Sequence, residues 1–350
     1  MISRLKVIDA STVLAGPSVG MFFAELGAEV IKVENPKLPD VTRSWKTALE
    51  DKDSTVSSYF SSINFRKTYL KIDLKEEAGR NQFIELIREV DVLITNFKKG
   101  DAAKFNITDE LLFAVNPSLI HGKISGFGPD SDRVAYDLIL QAETGLMSMN
   151  GTPESGPVKM PVAFIDVLAA HQLKEGLLLA LLERTQTGKG KSVEVSLYET
   201  AVCSLVNQAS AYLMTHSVPQ RIGSLHPSIA PYGEIFRTKD ESQITFAIGS
   251  DSHFSRLCTF LDMNHLPEDS RFSDNQNRVI NRSILFDILQ EKIATHSAAP
   301  ILTWMEEHSV PCGKIKTLKD VFDAPGAEAF IREEEIEGVK TRRVTSIAFK

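Results

Sequence analysis

The apolar and polar positions of this chain change period as it runs. Leu5-Lys6-Val7-Ile8 opens as a strand, and Ala15-Gly16-Pro17 punctuates it. A helical stretch from Met21 to Leu26 stops at Gly27, and Ala28 to Glu34 reads as a second strand. Strand, turn, helix, strand is a βαβ unit of a mostly parallel α/β sheet. The alternation then repeats. Thr68 to Leu74 alternates as a strand, Glu76 to Glu89 is an amphipathic helix, and Asp91 to Phe97 and Leu119 to Ser125 are further strands. In open α/β sheets the loops at the carboxyl ends of such strands carry the ligand.

The stretch from Val162 to Ala201 organises the rest. Ala170, Leu173, Leu177, Ala180 and Leu181 recur at steps of three and four, which predicts an amphipathic helix. Thr187-Gly188-Lys189-Gly190 ends it, and Val193, Val195 and Leu197 alternate with Ser192, Glu194 and Ser196 as a half-buried strand. Asp166 therefore sits at or near the helix N-terminus. Two readings fit it: an N-cap that satisfies orphan backbone N–H groups, or a carboxylate kept ionised by the helix dipole and free to act as nucleophile or base. A second acid, Asp137, stands in the apolar stretch Val134 to Ala142 and also reads as a helix cap on local pattern.

Beyond Ala201 an apolar helix is expected to about Met214, then a loop-like stretch from His216 to Tyr232. Ile235–Asp240 and Gln243–Ile248 read as a hairpin, and helices are expected at about 251–262, 280–295 and 298–307. This predicts a smaller α+β domain over 225–315. Gly338 to Phe349 alternates as one or two strands.

Composition narrows the function classes. The net charge of −7 over 350 residues argues against a general nucleic-acid or anionic-membrane surface. The longest apolar run, near Leu177 to Leu182, is too short to span a bilayer. Cys203, Cys258 and Cys312 lack metal-ligand spacing and suggest buried thiols in a reducing compartment, so a cytoplasmic enzyme without a metal is expected. Glu34 closes the second strand as a ribose acceptor would. However, Gly16-Pro17-Ser18-Val19-Gly20 is not G-x-G-x-x-G, and Pro17 removes a donor, so NAD is not expected. Arg66, Lys67, Lys75, Lys98, Lys99 and Lys104 fall at or just after strand ends, either as a solvated basic face or as a phosphate site.

A set of short motifs, in this order and spacing, resembles family III CoA-transferases. That group contains formyl-CoA and carnitine CoA-transferases and the 2-methylacyl-CoA racemases. The motifs are Ala15-Gly16-Pro17, Leu26 to Glu34, Thr42-Arg43, Asn96-Phe97, Asp137, Asp166, Thr187 to Gly190, Phe236 to Asp240 and Val310 to Gly313. The resemblance covers essentially the whole chain. It implies a Rossmann-like CoA-binding domain over 1–200 completed by 325–350, a linker helix and loop over 201–224, the small domain over 225–315, and a return segment over 316–350. It also implies two chains interlinked like rings in a homodimer.

The same resemblance implies that Asp166 attacks an acyl-CoA, that an aspartyl–acyl anhydride forms, and that a second carboxylate is exchanged through an aspartyl-CoA thioester. It places CoA against Ala15, Ile72, Asp73, Lys75, Asn96, Phe97, Lys98 and Lys104, with Asp137 near the thioester. Phe97 would pack on the adenine and the lysines would meet the phosphates. The chain departs from the family at Asn35, where a basic residue is common, and at Leu14, where formate-transferring members have glutamine. It also lacks the glycine run that some members place in the 216–232 region. The last two departures argue against formyl and oxalyl substrates. Relatives usually continue for several tens of residues past the equivalent of Lys350.

Racemisation of a 2-methylacyl-CoA is the alternative activity, and a non-catalytic CoA-binding homologue a third reading. A racemase has histidine where this chain has Tyr136, and a phenol with a pKa of about 10 is a poor base at neutral pH. Transfer of CoA between carboxylic acids is the expected activity.

Overall fold

A computed structural model describes residues 2–349. The chain divides into two compact units. The larger holds residues up to Met147, Lys159–Pro219 and the chain from Glu328 onward; the smaller holds Ser148–Val158 and Gln220–Ala327.

The larger unit is built on a six-stranded parallel sheet. Its strands are β1 (Lys6–Ala10), β2 (Glu29–Glu34), β3 (Thr68–Lys71), β4 (Val92–Thr95), β5 (Ile120–Ser125) and β6 (Lys191–Ser196), in the order β3-β2-β1-β4-β5-β6. Ile8 of β1 pairs with Ile31 on one side and Leu93 on the other. The expected α/β class with a mostly parallel sheet is what the chain adopts.

Helices cover both faces, as a buried parallel sheet requires. The longer helices of this unit are α1 (Ala15–Glu25), α2 (Glu77–Ile87), α3 (Asp109–Val115), α4 (Asp137–Glu143), α5 (Phe164–Thr187), α6 (Leu197–Cys203) and α7 (Val206–Thr215). On one face Val19 and Phe23 of α1 and Leu173 and Leu177 of α5 pack on Val92, Ile94 and Ile120. On the other, Phe83 and Ile87 of α2 pack on Ile8 and Leu93.

Two elements differ from the sequence reading. Ala15-Gly16-Pro17 is the first turn of α1, not a turn before it. Proline is tolerated there because the first-turn N–H groups have no intrahelical acceptor. Gly16 is needed because a Cβ would lie 2.2 Å from Ser11 Oγ. The apolar helix after Ala201 is two helices, with Val206 at φ 36°. Ser204 Oγ donates to the Thr200 carbonyl at 2.7 Å, a back-bond that competes with the helix ladder. Cys203 is also exposed, not buried.

Thr187 to Gly190 has a local cause. Gly188 closes α5 with φ 70°, and an added Cβ on Gly190 would sit 1.9 Å from the Leu119 carbonyl oxygen. The motif thus turns the chain and brings β6 against the start of β5. The hairpin Ile331–Ile336 and Val339–Val344 belongs to this unit; its Arg343 forms a buried ion pair with Glu25 at the end of α1.

The smaller unit has a three-stranded antiparallel sheet of Tyr232–Arg237, Gln243–Ala247 and Cys312–Lys314. Helices Asp251–Phe260, Arg282–Ile293 and Ala298–Glu307 supply the rest of its core, around Phe236, Phe246, Phe254, Leu257, Leu289 and Ile301. Among the described residues no helix is long and apolar enough to cross a membrane.

Candidate active site

The first turn of α5 places Asp166 in a wall of apolar residues. Ile165 and Ala169 are fully buried beside it, and Asp166 itself is 8% exposed. Ala163, at the N-cap position, has no side chain able to cap the helix. The caps come from elsewhere. Asp137 Oδ1 accepts the Ile165 N–H at 2.7 Å and the Asp166 N–H at 3.4 Å. Gln141 Nε2 donates to the other Asp137 oxygen, while Gln141 Oε1 accepts the Met160 N–H at 2.8 Å. Asp166 is therefore not the cap of its own helix, and its carboxylate makes no hydrogen bond among the described residues.

Its electrostatics reverse one expectation. The helix dipole does not hold Asp166 ionised. Burial, and then the charge of Asp137, push its carboxyl up to about 7. The reason is local: Asp137 already occupies the N–H groups whose partial charge would have favoured the anion, and adds a negative charge of its own. Tyr59 shares the neighbourhood. Burial, followed by Asp166, Asp137 and Asp40, raises its hydroxyl to about 12. Trp45 packs edge-on against Tyr59 with centroids 5.2 Å apart, and lies 6.4 Å from the Tyr136 ring. The irregular stretch that holds Trp45 and Tyr59 offered no periodic signal for a role at the site.

The sheet order reverses between β1 and β4, which opens a crevice at their carboxyl ends. Asn96 bridges the two loops there: its Oδ1 accepts the Thr12 N–H at 3.0 Å and its Nδ2 donates to the Thr12 carbonyl at 2.9 Å. A cavity of about 530 Å³ begins at this bridge, with Val13, Asn96, Phe97, Lys98, Ser125 and Tyr136 in its lining. Phe97 packs edge-on against Phe105 at 5.8 Å. Ser125 Oγ is buried without a hydrogen-bond partner.

A family model described as CoA-transferase family III matches residues 2–348. The chain belongs to that family. It is 34% identical over 334 residues to succinate–glutarate CoA-transferase of Agrobacterium fabrum, covering 94% of this chain and 83% of that one. It is 34% identical over 321 residues to succinyl-CoA:glutarate CoA-transferase of Mus musculus, covering 91% and 72%. Among solved structures, a CAIB/BAIF family protein from Brucella suis superposes with a TM-score of 0.85 at 35% identity, covering 99% of this chain and 92% of that one. The chain is thus an enzyme of the CoA-transferase class, and an acyl-CoA is its substrate.

In this CoA-transferase the residues marked out from sequence separate into groups. Asn96, Phe97 and Lys98 line the cavity together; Ala15, Ile72, Asp73, Lys75, Lys104, Asp137 and Asp166 do not. Ala15 is buried at the start of α1, and Ile72 is in the core. Asp73 is held by Asn35 Nδ2 at 2.9 Å, the Lys75 N–H at 3.1 Å and Lys37 at 3.4 Å. Lys75 and Lys104 are exposed. Lys99 Nζ donates to the Asp130 carbonyl at 2.7 Å.

Lys67 belongs to neither a wet face nor a phosphate site. It lies before β3, away from the strand's carboxyl end, and is buried against Asp9 at 2.7 Å. Burial alone would raise Asp9, but Lys32 and Lys67 hold it down to about 2. Lys32 reaches on to Asp40 at 3.2 Å, and Asp40 accepts the N–H of Val13, which has φ 74°. This buried charge cluster pins the loop between β1 and α1.

The cavity lining also carries a second polar network. Thr95 Oγ1 lies 2.9 Å from His121 Nε2, and His121 Nδ1 lies 2.6 Å from Asp109. Lys123 at 2.9 Å and Ser192 Oγ at 2.6 Å also donate to Asp109. The His121 contact leads the effects that hold Asp109 well below the usual carboxylate range. Among the described residues no group of three or more His, Cys, Asp or Glu could hold a metal.

Proposed function

We propose that this enzyme moves CoA between a carboxylic acid and an acyl-CoA through covalent intermediates on Asp166. The observation that carries the reading is a buried carboxylate with no hydrogen-bond partner, on a helix turn held by Asp137, whose neighbour in sequence, Tyr136, lines the cavity. A desolvated carboxylate that accepts no hydrogen bond is, once ionised, a strong nucleophile. Its oxygen attacks the thioester carbonyl; the C–S bond breaks, CoA thiolate leaves and an aspartyl–acyl anhydride forms. The thiolate then attacks the aspartyl carbonyl and releases the donor acid as its carboxylate, leaving an aspartyl-CoA thioester. The acceptor carboxylate attacks that carbonyl and expels CoA thiolate again. Attack of the thiolate on the acceptor acyl group releases the new acyl-CoA and restores Asp166.

CoA lies across the crevice in this reading. Phe97 offers a ring face for the adenine. Lys98, Lys75 and Lys104 meet the phosphates as point charges, and Ser125 Oγ offers a hydrogen bond. Ala15, Ile72, Asp73 and Asn96 shape the backbone that carries these groups. Relatives named for succinate and glutarate make short dicarboxylic acids the first acceptors to try. The active form is an interlocked homodimer, a reading supported by α7, which buries no residue and leaves Val206, Leu213 and Met214 exposed.

Protein incubated with succinyl-CoA and then hydroxylamine should carry a hydroxamate on the peptide containing Asp166, and borohydride should reduce the aspartyl thioester there to an alcohol. Asp166→Asn should fold and lose turnover. An active Asp166→Asn variant, or a label found only on another acid such as Asp137 or Glu143, would sink the mechanism.

A further inference from the structure

The helix end that carries Asp166 is capped from a different helix. Asp137 is the first residue of α4, and one of its oxygens spans the Ile165 and Asp166 N–H groups at 2.7 and 3.4 Å. Its other oxygen is held by Gln141, whose side chain is 1% exposed. Gln141 is itself fixed by the Met160 N–H, in the strand of chain that leads into α5. Asp137 and Gln141 thus tie α4, the entry to α5 and the first turn of α5 into one unit. Both Asp137 oxygens are engaged, so little of its hydrogen-bonding capacity remains for a ligand.

We propose that Asp137 is a positioning residue for Asp166: it fixes the first turn of α5, and through it the direction of the Asp166 carboxylate, and does not contact CoA. This rests on Asp166 being the nucleophile. The fixed geometry has an electrostatic consequence. The titratable groups around Asp166 are Asp137 from α4 and Tyr59 from the short helix Ser58–Ser62, with Asp40 beyond Tyr59. None of these is a cation, and Asp137 opposes ionisation of Asp166. The cap that orients the nucleophile therefore also sets the pH at which it becomes charged.

Two substitutions separate orientation from charge. Asp137→Asn keeps one acceptor oxygen for the α5 N–H groups and removes the negative charge, while its amide NH2 replaces the oxygen that Gln141 holds and gives up that contact. Its kcat at high pH should fall by less than that of Asp137→Ala, because the α5 N–H groups keep an acceptor, while the acid limb of the pH–rate profile moves about one unit lower. Asp137→Ala removes the cap. Its kcat should fall about 10- to 100-fold, the scale of a misplaced reacting group, with KM for acyl-CoA changed by less than about twofold, as expected for a residue that does not bind substrate.

The Asp166 carboxyl titration, followed by ¹³C NMR and assigned by its loss in Asp166→Asn, reads the coupling without any turnover. It should move down in Asp137→Asn alongside the rate profile. A raised KM with unchanged kcat in Asp137→Ala would make Asp137 a CoA contact and overturn the proposal. So would identical titrations of Asp166 in the native protein and Asp137→Asn. If Asp137→Ala does not fold, Asp137→Asn decides. If Asp166→Asn keeps its turnover, the nucleophile reading fails, while the NMR titration still reports on the coupling.

Discussion

Asp166 is costly to the fold where it is useful to the reaction. Its carboxyl titrates at about 7 in the folded protein, against about 4 for an unfolded aspartate. Between those values the folded state binds a proton that the unfolded state has lost. Stability from this group is therefore full below about pH 4 and is lost as pH rises through 7. Asn is neutral throughout and nearly isosteric. Asp166→Asn should melt higher than the native protein at pH 8, by an amount on the order of 2 kcal/mol once the shift is discounted for water access, and show little difference at pH 4. Thermal melts at the two pH values check this. A lower melting temperature at pH 8 would mean that the anion is stabilised by the fold. Phe97 offers a second test at this scale. Phe97→Ala should weaken CoA by about 10-fold or more, the usual worth of a stacked aromatic, measured by calorimetry. Unchanged affinity would remove the adenine from that wall.

At the scale of elements, close backbone approaches hold the site's frame. Gly190 lets the start of β6 pass the Leu119 carbonyl, where a Cβ would lie at 1.9 Å from the oxygen. Neither partner is a flexible side-chain tip, so relief requires movement of β5 or β6. Gly190→Ala should destabilise the protein by about 1–3 kcal/mol, the usual range for overpacking, in a denaturant titration. A neutral result would show that this contact is looser than drawn. The turn before β6 was readable as a helix stop, because glycine after a periodic run has a known local cause. The capping of α5 was not readable. Asp166 lies in the first turn of a helix and matches a cap by local pattern. The real cap is Asp137, 29 positions earlier, and no sequence rule pairs a helix N-terminus with a carboxylate from another helix.

Over the whole molecule, charge and assembly give two further tests. The chain is net acidic at −7, so CoA must be drawn in by a few local lysines. Lys75→Ala and Lys104→Ala should each weaken CoA about 2- to 10-fold and flatten its salt dependence, as expected for exposed phosphate contacts. Calorimetry at low and high salt with no change in either variant would move the phosphates elsewhere. Interlocked rings cannot part without unfolding, so tagged and untagged native dimers should exchange no subunits over hours. Rapid exchange on mixing would exclude that topology.

What the sequence determined by itself is whatever has a local cause. The period of apolar residues gave the strands and helices of the parallel sheet, and glycine and proline gave most of their ends. The order of short motifs gave the family. Tertiary structure decided the charges. Lys67 looks like a strand-end lysine, yet it is buried against Asp9, because a charge's partner is set by packing across 58 residues. Ala15-Gly16-Pro17 looks like a turn, yet it begins a helix, and its glycine is there because Ser11, from the preceding loop, leaves no room for a Cβ. Asp166 looks like an ionised cap, yet its proton is held to about 7, because burial and the neighbouring Asp137 outweigh the helix end. Periodicity reports which face of an element is apolar; desolvation and the approach of distant charges exist only once the chain has closed on itself.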